Sequence, residues 1–360
     1  MIINGNALNI PLADKCVHTI VTSPPYYGLR DYGTATWKGG DPVCDHKGKP
    51  MATHAGFNER YFGKPPIVDK QSEVLEFYKK VCGKCGAIRV DSQIGLEQTP
   101  DIYIANLVEV FRECKRALRD DGTMFVNMGD SYATHASGSK KHSHNFRSPE
   151  VAAENGIGTI NKPTARAMGM KEKDLIGIPW MLAFALRADG WYLRQDIIWA
   201  KPNPMPESVK DRCTKSHEYI FLLSKQAKYY YDSEAIKEPS KEPEDNRGER
   251  GNRKRFPTDK IAGIRGPGVY PMANKRDVWT VTTKPYKGAH FATFNPELIK
   301  PCILAGGPEG GIVFDPFVGS GTTVATAMQL GRKGIGLDLS LEYLYNNARV
   351  RIENIKTETK

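Results

Sequence analysis

The chain has 360 residues, 51 Lys and Arg against 41 Asp and Glu, and a formal charge of +10, a balance that favours a polyanionic partner. This length suits one large domain with insertions, or two small ones. No apolar stretch reaches membrane length, no signal peptide precedes the first strand, and seven cysteines, an odd number, argue against a secreted disulfide framework. The expectation is an intracellular, cytoplasmic protein.

In chain order, Ile2-Ile3-Asn4-Gly5-Asn6-Ala7 reads as a short strand and turn. A second strand, Val17-His18-Thr19-Ile20-Val21, runs into Thr22-Ser23-Pro24-Pro25-Tyr26-Tyr27. Pro24 and Pro25 lack N–H groups and offer only carbonyl acceptors on a stiff backbone. Ser23 adds a hydroxyl that can accept, and Tyr26 adds a face for stacking. Together they suit holding a planar, amino-bearing ring while its nitrogen is modified. The plainer reading is a Pro-Pro turn with a core tyrosine. Tyr27 could line the same pocket or pack in the core.

Residues 31–95 interrupt the pattern. Cys82-Gly83-Lys84-Cys85-Gly86 is a CxxCG knuckle, and Cys44-Asp45-His46 lies 36 positions before it. Cys44, His46, Cys82 and Cys85 make a Cys₃His set for a structural, not catalytic, Zn²⁺. His54 is an alternative to His46, and free thiols are the plainer reading.

Thr99-Pro100-Asp101 opens a helix, with Thr at the cap and Pro at the first position. Ile104, Leu107, Val108, Phe111, Cys114 and Leu118 keep its apolar spacing, and Gly122 is expected to end it. A strand over 123–128 follows. Residues 135–173, rich in Gly, Ser, His, Lys and Asn, read as a mobile basic loop. A helix over 174–188 closes at Gly190, and strands are expected over 192–199 and 218–223. Between Arg247 and Arg276 nine basic residues stand against Glu249 and Asp259, in a Gly- and Pro-punctuated loop suited to phosphate contacts and guanine readout.

Gly311-Ile312-Val313-Phe314-Asp315-Pro316-Phe317-Val318-Gly319-Ser320-Gly321-Thr322-Thr323 is a strand, an acid, a Gly-rich turn and a helix start. The helix stops at Gly331, and the next strand ends on Asp338, 23 residues past Asp315. An acid at that spacing is placed for ribose hydroxyls. The turn lacks GxGxxG and the Lys of a P-loop, and Asp315 disfavours a phosphate. A ligand carrying an ammonium group and a ribose, such as S-adenosylmethionine, fits better.

These two segments give the chain its resemblance to the exocyclic-amino DNA methyltransferases, the N4-cytosine and N6-adenine enzymes. The pocket motif (Asp/Asn/Ser)-Pro-Pro-(Tyr/Phe/Trp) stands at 23–26 and the cofactor motif Asp-Pro-Phe-x-Gly-Ser-Gly-Thr at 315–322, an order resembling the circularly permuted β class. The resemblance covers most of 1–30, 95–135, 174–232 and 288–353. It implies an α/β, Rossmann-like methyltransferase fold with a mostly parallel seven-stranded sheet whose last two strands pair antiparallel. It implies a catalytic domain over 1–30, 95–232 and 288–360, a zinc-knuckle insertion over 31–94 and a target-recognition region over 233–287.

By resemblance, Ser23, Pro24, Pro25 and Tyr26 are catalytic. Asp315 faces the methionine ammonium of S-adenosylmethionine, and Phe317, Gly319, Ser320, Gly321 and Thr322 wrap the methionine end. Asp338 holds the ribose, and Asn6 and Ala7 approach the adenine. Thr293 and Phe294, in the segment from His290 to Pro296, are further contacts. Two departures stand out: Asn6 replaces a frequent acid, and the proline that often follows His290 closely is missing. Arg247, Arg250, Arg253, Lys254, Arg255 and Arg265 are the expected contacts to double-stranded DNA, whose target base flips out. A homodimer and a cognate restriction endonuclease are the other expected partners, in a bacterial, archaeal or phage setting. Ser23 points to N4 of cytosine, with N6 of adenine as the alternative. More remote readings are an RNA or protein methyltransferase, or a non-catalytic DNA binder.

Overall fold

The computed structural model describes residues 1–29, 32, 34–46, 81–133, 164–241, 244–245, 268–283 and 295–358. Its principal strands are β1 (Ile2–Asn4), β2 (Val17–Thr22), β3 (Thr36–Lys38), β4 (Ile88–Val90), β5 (Leu118–Met128), β6 (Tyr192–Ala200), β7 (His217–Ser224), β8 (Val278–Thr280), β9 (Ile312–Asp315) and β10 (Lys333–Asp338). Eight of them form one sheet in the order β1-β10-β9-β2-β5-β7-β6-β8. Strand β7 is antiparallel to both β5 and β6, and the other pairings are parallel.

The sheet is thus mostly parallel, as expected, but has one strand more than seven. The extra strand, β8, comes from the Gly-, Pro- and Lys-rich 233–287 segment and pairs with the end of β6, Val278 against Ile198. Its anchor is Trp279, buried, with Nε1 donating to the Arg276 carbonyl at 2.6 Å. A strand of three residues carries no legible period, which is why none was expected there.

Helices cover both faces, and the strands show why. Ile20 of β2 packs with Tyr103, Leu107 and Phe111 of α1 (Pro100–Ala117) and Leu182 and Leu186 of α2 (Ile178–Ala188). Its neighbour Val21 points the other way, into a cluster with Leu298, Ile299 and Ile303 of α3 (Pro296–Gly306). A strand buried on both sides reads as a continuous apolar run. Each large side chain buried this way stabilises the fold by roughly 1.5–3 kcal/mol. The remaining helices among the described residues are a 3₁₀ turn over Glu234–Ile236, α4 (Thr322–Gln329) and a C-terminal run through Leu341–Tyr343, a π-helical turn over Leu344–Arg349, and α5 (Val350–Glu358).

Thr99 caps α1 as expected, its Oγ1 accepting from the Ile102 amide at 3.4 Å. The helix ends at Ala117 and passes straight into β5, so Gly122 lies inside a strand and does not end the helix. A Cβ there would sit 2.9 Å from the His18 carbonyl, so the glycine lets β5 close on β2. Helix α2 begins four residues later than 174, because Gly177 takes φ +82 at its cap. Strands β2 and β9 are sheet neighbours joined by no short connection, and the chain leaves both at their C-terminal ends. That is the switch-point crevice at which open α/β sheets bind ligands.

Candidate active site

At this crevice lies a cavity of about 760 Å³. Its walls include Ser23, Pro24, Pro25 and Tyr26 from the end of β2, and Asp315, Phe317, Gly319, Ser320 and Thr322 from the turn after β9. Asp338 at the end of β10 and Asn6 and Ala7 after β1 complete one side. Motifs nearly three hundred residues apart therefore face one space.

Asp315 is 2% exposed. Its Oδ1 accepts from the Thr22 hydroxyl at 2.6 Å and the Phe317 amide at 3.0 Å, and its Oδ2 accepts from the Thr323 hydroxyl at 2.7 Å. Burial pushes its carboxyl up to about 6 against these donors, and Asp338 adds to the rise. Asp338 accepts from the Gly319 amide at 3.0 Å and the Ser340 amide at 2.9 Å, and burial raises it too. A buried carboxyl and a half-buried one, both held by neutral donors, suit a ligand that brings a cation and hydroxyls. S-adenosylmethionine supplies both, and the cavity volume is ample for it.

Two cofactor-side expectations are modified. Gly321, at φ +79, does not line the cavity: a Cβ there would sit 2.9 Å from Ala348 Cα, so it lets the start of α4 meet the C-terminal run. Asn6 Oδ1 accepts from the Leu8 amide at 3.0 Å, so its oxygen already shapes the turn after β1. Thr293 and Phe294 lie outside the described residues.

Around the Ser23–Tyr26 segment the Tyr26 hydroxyl donates to Glu218 Oε2 at 2.6 Å and lies 3.2 Å from Asn127 Oδ1. Asn127 Nδ2 donates to Glu218 Oε2 at 3.2 Å and to the Tyr219 carbonyl at 3.1 Å. The other Glu218 oxygen pairs with Lys201, whose ammonium lies 4.4 Å from the Trp199 ring centroid. Burial, then the Glu218 charge, pushes the Tyr26 phenol well above its usual range, so it stays neutral. Gly129 leaves room for the ring, since a Cβ there would come within 2.7 Å of Tyr26 Cε2. The Tyr103 hydroxyl donates to the Pro25 carbonyl at 2.8 Å. Tyr27 packs in the core, its ring 5.4 Å from that of Tyr103 and its hydroxyl donating to the Gln98 carbonyl.

Sequence reasoning missed Thr22, Asn127, Lys201, Glu218 and Thr323. Asn127 had a readable signal, a polar residue inside the apolar run of β5. Glu218 had none beyond opening a strand, and only the β5–β7 pairing brings it to Tyr26.

The four expected metal ligands do converge. The donor atoms of Cys44, His46, Cys82 and Cys85 all lie within 4.8 Å of one another. His54 lies outside the described residues, as do Arg247, Arg250, Arg253, Lys254, Arg255 and Arg265. Of the same basic segment, Arg276 and Lys275 are described, and both face Glu238, so part of the counted charge is paired internally. Among the described residues no helix is long and apolar enough to cross a membrane.

A family model described as DNA methylase, of the N6/N4 type, matches residues 17–349. The Type II methyltransferase M.Cfr9I of Citrobacter freundii is 39% identical over 350 residues, covering 94% of this chain and 83% of that protein. The Type II methyltransferase M.SmaI of Serratia marcescens is 40% identical over 324 residues, covering 90% and 80%. Among solved structures, PvuII DNA methyltransferase (cytosine-N4-specific) aligns with TM-score 0.52 at 14% identity, over 99% of this chain and 89% of that one. A Thermus thermophilus protein complexed with S-adenosyl-L-methionine aligns with TM-score 0.50 at 17% identity, over 98% and 93%. These two share the fold. With both motifs on one cavity and a family match across nearly the whole chain, the protein belongs to the N6/N4 DNA methylases, exocyclic-amino methyltransferases that use S-adenosylmethionine.

Proposed function

We propose that the protein methylates the N4 amino group of cytosine at a specific site in double-stranded DNA. The carrying observation is the single cavity shared by Ser23–Tyr26 and the Asp315 turn, with Thr22 hydrogen-bonded to Asp315 between them. An exocyclic amino group is a poor nucleophile because its lone pair is delocalised into the ring. The Ser23 hydroxyl and the Pro24 carbonyl accept its two hydrogens and draw the nitrogen toward tetrahedral geometry, while Tyr26 stacks on the flipped base. S-adenosylmethionine supplies an electrophilic methyl group. The nitrogen–carbon bond forms as the sulfur–carbon bond breaks, and the surplus amino proton passes to solvent. In this reading Asp315 holds the ammonium, Asp338 the ribose hydroxyls, and Asn6 and Ala7 the adenine.

Cytosine is preferred because a serine at the first pocket position is commoner in enzymes resembling the N4-cytosine methylators and an aspartate in the adenine ones; both bases carry an unprotonated ring nitrogen beside the amino group, so the preference rests on Ser23 alone. The fold neighbour described as cytosine-N4-specific agrees with it. The curated relatives are named as Type II enzymes, which supports site-specific modification alongside an endonuclease of the same site. The basic segment from Arg247 to Arg265 is assigned to target reading, by its charge and its place between the two motifs. Nucleoside mass spectrometry on DNA from cells expressing the protein tests this: 4-methylcytosine is expected. Finding 6-methyladenine overturns the base, and finding neither overturns the activity.

A further inference from the structure

The Cys44–His46–Cys82–Cys85 cluster lies at one end of a two-stranded ribbon whose other end enters the active-site cavity. Strands β3 and β4 pair antiparallel over only three residues each, Thr36–Lys38 against Ile88–Val90. A ribbon that short is marginal on its own. Beyond β3 the chain reaches Cys44 and His46, and before β4 it carries Cys82 and Cys85. Cys44 Sγ lies 3.9 Å from Cys82 Sγ, and Cys85 Sγ lies 3.5 Å from His46 Nδ1. The Cys82 amide donates to the Ala87 carbonyl at 2.7 Å and the Gly86 amide to the Cys82 carbonyl at 2.8 Å, which folds the CxxC turn around a shared centre. The Trp37 ring stacks on His46, centroids 4.7 Å apart and 16° from parallel, and fixes the imidazole. Gly40, at φ +73, is required close by, since a Cβ there would sit 2.7 Å from Cys85 Sγ.

The cavity end of the ribbon is built by hydrogen bonds between its two arms. The Tyr32 amide donates to Gln93 Oε1 at 2.7 Å, and the Thr34 hydroxyl to Asp91 Oδ1 at 3.0 Å. The Gly28 amide, just past the Pro-Pro motif, donates to the Gly95 carbonyl at 2.8 Å. Tyr32, Thr34, Ser92, Gln93 and Ile94 all line the active-site cavity. They form a wall that no helix or strand of the main sheet supplies.

We infer that Cys44, His46, Cys82 and Cys85 bind one Zn²⁺ ion tetrahedrally, and that this ion holds the ribbon as a wall of the methyltransferase cavity. Three thiolates and an imidazole are the donor set of a closed structural zinc site. Pinning residues 36 positions apart removes chain freedom that three paired residues cannot remove alone. The ion is remote from the chemistry and acts through Gln93, Tyr32 and the Gly28–Gly95 contact. The coupling rests on the cavity holding S-adenosylmethionine; the metal site does not.

Elemental analysis of the purified full chain tests the site, with one zinc per chain expected and cobalt exchange giving the absorption of tetrahedral thiolate coordination. Cys85→Ser and Cys44→Ser should lose the metal, whereas His46→Cys should keep it. Calorimetric titration with S-adenosylmethionine tests the coupling: the Kd should rise about tenfold in Cys85→Ser, with the main unfolding transition retained. Should Cys85→Ser not fold, chelation of the folded wild-type chain gives the same readout. Absence of stoichiometric metal from protein made in zinc-replete medium overturns the site. Full metal whose removal leaves the Kd unchanged overturns the coupling. Metal content is read without methyl transfer, so it stands or falls apart from the enzymatic reading.

Discussion

Thr22 and Asp315, 293 positions apart in the chain, share a 2.6 Å hydrogen bond where the tips of β2 and β9 meet. Asp315 is enclosed by hydroxyls and one amide, with no side-chain cation among its hydrogen-bond donors. Replacing it with Asn keeps an acceptor for Thr22 and Phe317 and sets an amide donor against the Thr323 hydroxyl. We expect Asp315→Asn to fold at least as stably as the wild type near neutral pH, and to lose roughly 10- to 100-fold in S-adenosylmethionine affinity. Calorimetry beside thermal melting separates the two effects, and unchanged affinity would refute the ammonium role.

The same carboxyl sets a pH dependence. Its folded pKa of about 6 stands above the ordinary aspartate value of 3.8, so the folded state binds the proton more tightly than the unfolded chain. The stability this provides is complete below about pH 4 and is lost as pH rises through about 6, about 3 kcal/mol in all. An ammonium partner favours the ionised form and reverses that loss. Cofactor affinity should therefore be flat above about pH 7 and fall up to about tenfold per unit below about pH 6. The thermal shift given by cofactor should shrink in parallel, and a flat profile down to about pH 5 in both would exclude Asp315 as the titrating group.

Tyr26 is held by its hydroxyl as well as presented by its ring. Tyr26→Phe keeps the stacking face and removes the donor to Glu218, so about a tenfold loss in kcat with unchanged cofactor affinity is expected. Tyr26→Ala removes the face too, and should cost several hundredfold, mostly in DNA binding and base flipping. Glu218→Ala removes the carboxylate partner of Lys201 and leaves the phenol with its longer bond to Asn127 Oδ1, in a partly buried site, a cost of about 1–3 kcal/mol in chemical denaturation.

Ser23→Ala deletes one proposed acceptor of the amino group. The expected result is a kcat lowered about 10²-fold, with DNA and cofactor affinities within a few-fold of wild type. Single-turnover kinetics with a labelled methyl group checks it. Wild-type turnover would exclude the hydroxyl from the reaction.

Gly321→Ala probes a glycine assigned by sequence to the cofactor and placed by the fold at a helix contact. Its φ of +79 and the 2.9 Å approach to Ala348 Cα should cost about 1–3 kcal/mol, read as a lower unfolding midpoint. Cofactor affinity in the folded fraction should stay within a few-fold of wild type.

The motifs were legible because each is local. Acceptor, prolines and ring follow one another at 23–26, and the acid-to-acid spacing from Asp315 to Asp338 falls within one βαβ unit. The alternation of apolar strands and helices was legible for the same reason, and Thr99 capped α1 where its sequence said it would. Glu218 and Asn127 were not legible as partners of Tyr26, since strand pairing alone aligns them. Strand β8 was too short to show a period. Gly122 was misread because a glycine announces a special backbone or a close approach without saying what approaches.

The hydroxyl of Tyr103 on the Pro25 carbonyl ties the second proline of the pocket to the buried face of α1. The two prolines thereby part company: one anchors the loop to the domain core, and its neighbour presents the acceptor assigned to substrate. A shift of α1 along the sheet would be read directly as a displaced loop. The rigidity of the pocket is then a property of the hydrophobic core, and core substitutions around Tyr103 should surface as kinetic defects before they surface as unfolding.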